Sequence, residues 1–209
     1  MRPAGVILSV PLALLLAACS TAPEAKKEPE AAKPNPNPLG VPEVYKVKLD
    51  TSKGPIVIEV HREWAPRGAD RFWELVKDGF YDQARFFRIV PNFVVQFGLA
   101  ADPAKTRKWD KSLDDDPVAR TNRAGAVTYA KAGRNSRTTQ VFINLRSNQN
   151  LDDGGFAPFG QVTEGMGVVE KLYRGYGEQP EQEAITQRGN AYLNASFPLL
   201  DYIKTATIL

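Results

Sequence analysis

A single histidine, His61, and a single cysteine, Cys19, are all the chain has of two side chains much used in metal sites and nucleophilic catalysis. One histidine cannot build a multi-histidine metal site. It is also the sole candidate base for a Ser-His or Cys-His hydrolase. Its place in "IEVHREWAP", after an alternating strand pattern, reads instead as a surface or turn histidine. One cysteine excludes an intrachain disulfide. Neither sign of charge is in marked excess, with 27 Lys and Arg against 24 Asp and Glu. No basic stripe with interleaved aromatics appears, so nucleic acid is not an expected partner. What is present suffices for one ordinary domain: 209 residues, 43% apolar and 10% aromatic, enough for a real core.

The N-terminus begins "MRPAGVILSVPLALLLAACS". Arg2 precedes a short apolar run, Val6 to Ala18, interrupted by Pro11. That run is shorter than the ~20 residues needed to cross a bilayer, and it reads as a secretory signal peptide over residues 1–18. Its end, Leu16-Ala17-Ala18-Cys19, resembles the lipobox of bacterial lipoproteins. The resemblance implies that Cys19 is lipidated and becomes the mature N-terminus. Ser20, in place of Asp, implies an outer-membrane destination, with the protein in the cell envelope facing the periplasm. The alternative is plain signal cleavage beside a chance cysteine. Ser20 to Glu43 then holds six prolines and no aromatic residue. Such a segment cannot bury enough to offset its ordering entropy, so residues 19–43 read as a Pro-rich spacer between membrane and domain. At ~3.1 Å per residue it reaches up to about 75 Å.

From Val44 onward the pattern is that of a folded domain to residue 209. Alternation in "YKVKLD" and "PIVIEV", split by "TSKGP", predicts a β-hairpin. Ala69, Phe72, Leu75 and Val76 predict a helix that starts after Pro66 and stops at Gly79. Strand-like runs follow at Arg85–Val90, Phe93–Phe97, Ala126–Ala130, Gln140–Leu145 and Phe159–Val162. A second helix is predicted in "EGMGVVEKLYRG", and "YIKTATIL" is a final strand. The segment "QRGNAYLNASFPLLDYI" reads as an elaborated loop or short helix packed on the rest. Many short strands and two helices predict a mainly β fold, a closed barrel or sandwich with helices capping its ends.

One stretch, "FFRIVPNFVVQFG" from Phe86 to Gly98, places a lone guanidinium, Arg88, and a lone carboxamide, Gln96, in an otherwise apolar run. Taken singly, an Arg there is most simply a snorkelling surface residue, Gln96 an outer-face polar residue, and Phe93 and Phe142 core. Strand alternation also sends Phe93 and Gln96 to opposite sides unless a bulge near Val94 turns one of them.

Taken together with "GAVTYAKAGRNSRTTQVFIN" and "FAPFGQVTEGMGVVEKL", in that order and spacing, the stretch resembles the signature blocks of the cyclophilin-type peptidyl-prolyl isomerases. The resemblance runs roughly from Val44 to Leu209. It implies a closed eight-stranded antiparallel β-barrel capped by two α-helices, with no cofactor and no metal. It implies catalytic roles for Arg88, Phe93 and Gln96. A groove for proline-containing peptides would involve Phe87, Val94, Ala130, Lys131, Gln140, Phe142, Leu151 and Phe156. Partners would be unfolded or flexible exported polypeptides, met by a monomer tethered to the membrane through its lipid. This chain departs from the pattern in places. Phe87 stands where many members have His, Lys131 replaces a common Asn, Arg134 replaces a Pro, and Asn150 stands where cyclosporin-sensitive members have Trp. These departures imply an altered peptide preference and weak cyclosporin binding. Two alternatives stay open: a non-catalytic proline-peptide binder or holdase using the same groove, and a structural envelope lipoprotein with a decayed one.

Overall fold

The computed structural model describes residues 37–209. The expected signal peptide, Cys19 and the spacer up to residue 36 lie outside the described residues. The last part of the expected spacer is held on the domain. The Asn37 side chain brackets Val41, donating to its carbonyl at 2.8 Å and accepting from its N–H at 2.9 Å. Val41 is buried in the core, and the Arg62 N–H bonds the Glu43 carbonyl.

The elements in chain order are β1 (Val44–Thr51), β2 (Gly54–His61), α1 (Pro66–Lys77), β3 (Arg88–Val90), β4 (Val94–Phe97), α2 (Pro103–Trp109) and β5 (Ala126–Tyr129). They continue with β6 (Val141–Asn144), α3 (Asn150–Asp153), β7 (Pro158–Glu164), α4 (Met166–Val169), α5 (Gln182–Arg188), α6 (Asn190–Ser196) and β8 (Ile203–Ile208). The eight strands form one antiparallel sheet in the order β3-β4-β6-β5-β7-β2-β1-β8. The expected closed ladder is not what forms. Among the described residues, β3 and β8 at its two ends share no strand pairing. The segments just before them meet through the bridge Arg85–Tyr202 and the bond from the Phe86 N–H to the Asp201 carbonyl at 3.0 Å. The helix count is six, not two. Three short ones (α2, α5 and α6) lie in segments without a predicted helix or in the one that reads as a loop or short helix, and α3 is a single turn.

Alternation explains the sheet. In β1, Tyr45, Val47 and Leu49 face the core while Val44, Lys46 and Lys48 face out. The helix α1 lays Ala69, Phe72, Leu75 and Val76 into the same core. Phe72 meets Phe159 at 5.0 Å between ring centroids and Tyr81 at 5.3 Å, tilted arrangements that aromatic quadrupoles favour. The start of α1 is satisfied from a distance. Pro66 stands in its first turn, where the missing N–H costs nothing. The Asp116 carboxylate then accepts from the N–H groups of Arg67 and Gly68 at 3.1 and 2.9 Å. The helix stops where predicted, with Gly79 in the left-handed region at φ 60°, a conformation that glycine adopts without a Cβ penalty.

The helix α2 has its own start signal in Asp102-Pro103, the Asp102 carboxylate accepting from Ala104 N–H at 2.8 Å. Its far end fastens to the end of α1: Lys108 Nζ and Trp109 Nε1 donate to the Asp78 carboxylate at 2.7 and 2.8 Å. These bonds, Lys108's foremost, hold the Asp78 carboxyl below its ordinary 3.8. A depressed carboxylate stabilises the fold above its unfolded pKa and stops doing so as pH falls through the folded one. The anchor is therefore complete above pH 3.8 and is lost as the pH falls through the lower folded value. The expected result is an acid transition in Trp109 emission below that pH, absent from Asp78→Asn, checked by fluorescence titration.

Candidate active site

The groove is built on the outer face of four neighbouring strands. Ile89, Val95, Val127 and Ile143 point into the core, so the alternate residues point away from it. Register then aligns Arg88 of β3 with Gln96 of β4, Gln96 with Phe142 of β6, and Phe142 with Thr128 of β5. Val94 lies on the same face one pair along, opposite Asn144. A row of one cation, one amide and one aromatic ring across three strands is thus a product of pairing, since residues directly opposite stand about 5 Å apart.

Phe93 joins them from the turn that precedes β4, where strand parity does not apply. No bulge turns either residue near Val94, since β4 pairs without a register shift. Asn92 takes a left-handed φ of 58°, as Asn tolerates, and the Phe93 N–H bonds the Val90 carbonyl at 3.0 Å. The loop through α3 supplies the opposite wall with Leu151 and Phe156, the ring of Phe156 standing 6.1 Å from that of Phe142. Together these residues and Ala130, Lys131 and Gln140 line a groove of about 440 Å³. A larger depression of about 730 Å³ is lined by Trp64, two arginines and the carboxylates of Asp152 and Asp153, with no phenylalanine in its wall.

A buried amide network holds the walls at their spacing. Asn122 donates to the Phe156 carbonyl at 2.8 Å and to Asp152 at 2.7 Å, and accepts from the Thr128 hydroxyl at 2.7 Å. Asn144 donates to Asn122 at 3.1 Å, and Asn148 donates to Asn144 at 2.8 Å and to the Phe93 carbonyl at 3.0 Å. One connected set thereby ties the Phe93 turn to the Phe156 loop.

A second chain of polar contacts crosses the groove floor. Arg88 Nη1 donates to Gln96 Oε1 at 3.1 Å, and Gln96 Nε2 donates to Gln140 Oε1 at 2.8 Å. The Gln140 amide nitrogen takes no protein acceptor among the described residues, which leaves a donor for a peptide carbonyl. Lys131 Nζ pairs with Asp115 at 3.2 Å and stands 5.2 Å from the Phe156 ring centroid. The arrangement offers an apolar hollow, a guanidinium at its edge and amides beside it. Such a site can bind a small apolar ring and donate hydrogen bonds to the backbone around it.

Of the residues singled out in the sequence, Arg88, Phe93, Val94, Gln96, Ala130, Lys131, Gln140, Phe142, Leu151 and Phe156 come together here. Phe87 does not. It lies just before β3 and is buried with Leu99, Ile185, Leu193 and Leu200 in a separate small core. His61 is remote from the groove, bonded to Glu59 and stacked on Trp64 with ring centroids 4.0 Å apart. Sequence reasoning missed Gln182, which lines the groove from α5, and Glu178, whose carboxylate holds Arg88. No local pattern marks either residue, because both arrive through long-range packing.

Residues 46–189 match the family described as cyclophilin type peptidyl-prolyl cis-trans isomerase/CLD. Curated relatives include a peptidyl-prolyl cis-trans isomerase-like 1 from Rhizopus delemar, 38% identical over 60% of this chain and 78% of its own. The protein of that name from Homo sapiens is 34% identical over 63% of this chain and 79% of its own. Among solved structures, a cyclophilin type isomerase from Cryptosporidium parvum, crystallised in the presence of the dipeptide Ala-Pro, aligns with a TM-score of 0.60 at 21% identity. That alignment covers 78% of this chain and 98% of the other. A cyclophilin from Hirschia baltica gives a TM-score of 0.59 at 19% identity, covering 81% and 78%. These two agree with the curled antiparallel sheet, and the family match extends over most of the chain, groove strands included. The chain belongs to the cyclophilin-type peptidyl-prolyl cis-trans isomerase family.

Proposed function

We propose that this protein rotates X–Pro amides in unfolded or flexible exported polypeptides, with Arg88 as the group that lowers the barrier. One observation carries the reading: Arg88 lines the same groove as Phe93, Phe142 and Leu151, its guanidinium bonded to Gln96 on the groove floor. The relative crystallised with Ala-Pro makes a proline-containing peptide the natural occupant.

Amide resonance sets a rotation barrier of ~18–20 kcal/mol, although the two X–Pro isomers differ by only about 0.5–1 kcal/mol. During rotation the lone pair of the prolyl nitrogen leaves the π system and becomes an acceptor. An N–H from Arg88 aimed at that nitrogen bonds the twisted amide better than the planar one. This is electrostatic stabilisation by a pre-placed donor. A guanidinium suits the task because it remains charged and carries its donors in a fixed plane. Phe93, Phe142 and Leu151 hold the pyrrolidine ring, Val94 and Phe156 narrow the space around it, and Gln96 and Gln140 grip the backbone so that one end twists against the other. A barrier lowered by about 5–7 kcal/mol accelerates exchange by roughly 10⁴–10⁵. The expected result is rapid cis/trans exchange of an Ala-X-Pro-Phe peptide with the purified protein in a protease-coupled assay. No acceleration, with peptide binding retained, would leave a proline-peptide binder as the better reading.

The site of action rests on the N-terminus. Lipidated Cys19 and a Pro-rich spacer would place the domain at the periplasmic face of the outer membrane. Cys19→Ser is expected to move the protein from the membrane fraction to the soluble periplasm. Equal membrane association of the variant would remove the tether from this account.

A further inference from the structure

The Arg88 guanidinium has five N–H donors, and two of its nitrogens are taken by one oxygen. Glu178 Oε1 accepts from Arg88 Nε at 2.6 Å and pairs with Nη2 at 2.6 Å. Nη1 goes to Gln96. The side of the guanidinium along Nε is therefore fixed, and the remaining donors on Nη1 and Nη2 stay free of protein partners among the described residues.

Glu178 is carried to this spot by the backbone. Gly177, at a left-handed φ of 53°, accepts the Ile89 N–H through its carbonyl at 3.1 Å, which moors the turn to the outer edge of β3. Next to it the Tyr176 ring stacks edge-on against Phe197 at 5.1 Å and packs on the small core that contains Phe87 and Ile185. Phe87, buried in that small core and not in the groove, thus underlies the segment that returns to hold its neighbour Arg88. The same segment leads into α5, whose Gln182 lines the groove.

We propose that Glu178 is a positioning residue for Arg88, and that the turn and helices from Tyr176 to Phe197 are part of the isomerase site. The proposal rests on the reading of Arg88 given above. Two effects of the carboxylate oppose each other. It partly offsets the positive charge offered to the prolyl nitrogen, and it removes rotamer freedom that an arginine otherwise loses on engaging substrate. Glu178 is largely exposed, with 60% of its side chain accessible, so solvent screens its charge while the two contacts on the guanidinium keep their direction. Orientation is the larger effect.

The test uses three measurements on the full chain. Glu178→Ala is expected to lower kcat by about three- to fivefold, the range open to an exposed ion pair, with KM within about twofold. Glu178→Gln is expected to stay near the parent, since its carbonyl oxygen accepts the same N–H pair. The ¹⁵N–¹H signal of Arg88 Nε should exchange slowly in the parent and be lost in Glu178→Ala. Unchanged kcat in Glu178→Ala, or a raised one, overturns the proposal, as does a slow Nε–H signal that survives the substitution. An inactive parent protein sinks the isomerase reading itself, a result distinct from an active parent indifferent to residue 178.

Discussion

Arg88→Ala is expected to lower kcat/KM for an Ala-X-Pro-Phe peptide by about two to three orders of magnitude, the loss typical of deleting one pre-placed donor to a transition state. Peptide affinity should change far less. The ring pocket is made by Phe93, Phe142 and Leu151, and none of these depends on Arg88 for its place. Stability should barely move, because the Arg88 side chain is 26% exposed and its partner Glu178 is 60% exposed. Arg88→Lys should recover little. A lysine ammonium is a point charge on a flexible stem and cannot serve Glu178, Gln96 and a prolyl nitrogen from one plane. A loss confined to KM would assign Arg88 to binding.

Asn122→Ala is expected to have the largest effect on stability in the site region, about 2–4 kcal/mol. Asn122 is fully buried, and its side chain has four partners: Asp152, the Phe156 carbonyl, the Thr128 hydroxyl and Asn144. Some of them have other contacts. Asp152 still accepts the Asn122 backbone N–H at 2.9 Å, and Asn144 still donates to the Ala126 carbonyl at 3.0 Å. The Thr128 hydroxyl loses its acceptor and the Phe156 carbonyl loses the amide donor, and each buried polar atom left unpaired costs about 1–3 kcal/mol. Urea denaturation measures the loss. Because the Phe156 loop is the far wall of the groove, kcat/KM should fall alongside at temperatures well below the melting point. A destabilised variant with full activity would show that the network serves the fold alone.

The sheet was readable from residues that alternate. Tyr45, Val47 and Leu49 marked β1, and every later strand fell inside or close to its predicted run. The start and stop of α1 were written in Pro66 and Gly79. The groove could be read because its residues lie in three ordered blocks, whereas Arg88 or Gln96 alone carried no signal above that of a surface residue. Three features were not readable. Whether the sheet closes depends on how β3 meets β8, a contact between residues more than 100 positions apart, and no local pattern reports it. The predicted helix over Glu164–Gly175 shrinks to the single turn Met166–Val169, with Val169 and Leu172 buried in the main core and Met166 and Val168 packed against it. Motif position assigns Phe87 to the groove, but the residue precedes β3 and is buried elsewhere, and no strand pattern at that point reports it. The second core that holds it, with Ile185 and Leu193, is formed by α5, where no helix is predicted, and by α6, in the segment read as a loop or short helix.

The measurement that bears most directly on the central claim is exchange NMR of an Ala-X-Pro peptide held saturated on the protein. Free in solution such a bond exchanges over tens to hundreds of seconds. Exchange of the bound peptide is expected at roughly 10²–10³ per second, with the Arg88 guanidinium signals shifting as the peptide is titrated. A peptide that binds in the groove yet interconverts at its solution rate would contradict it.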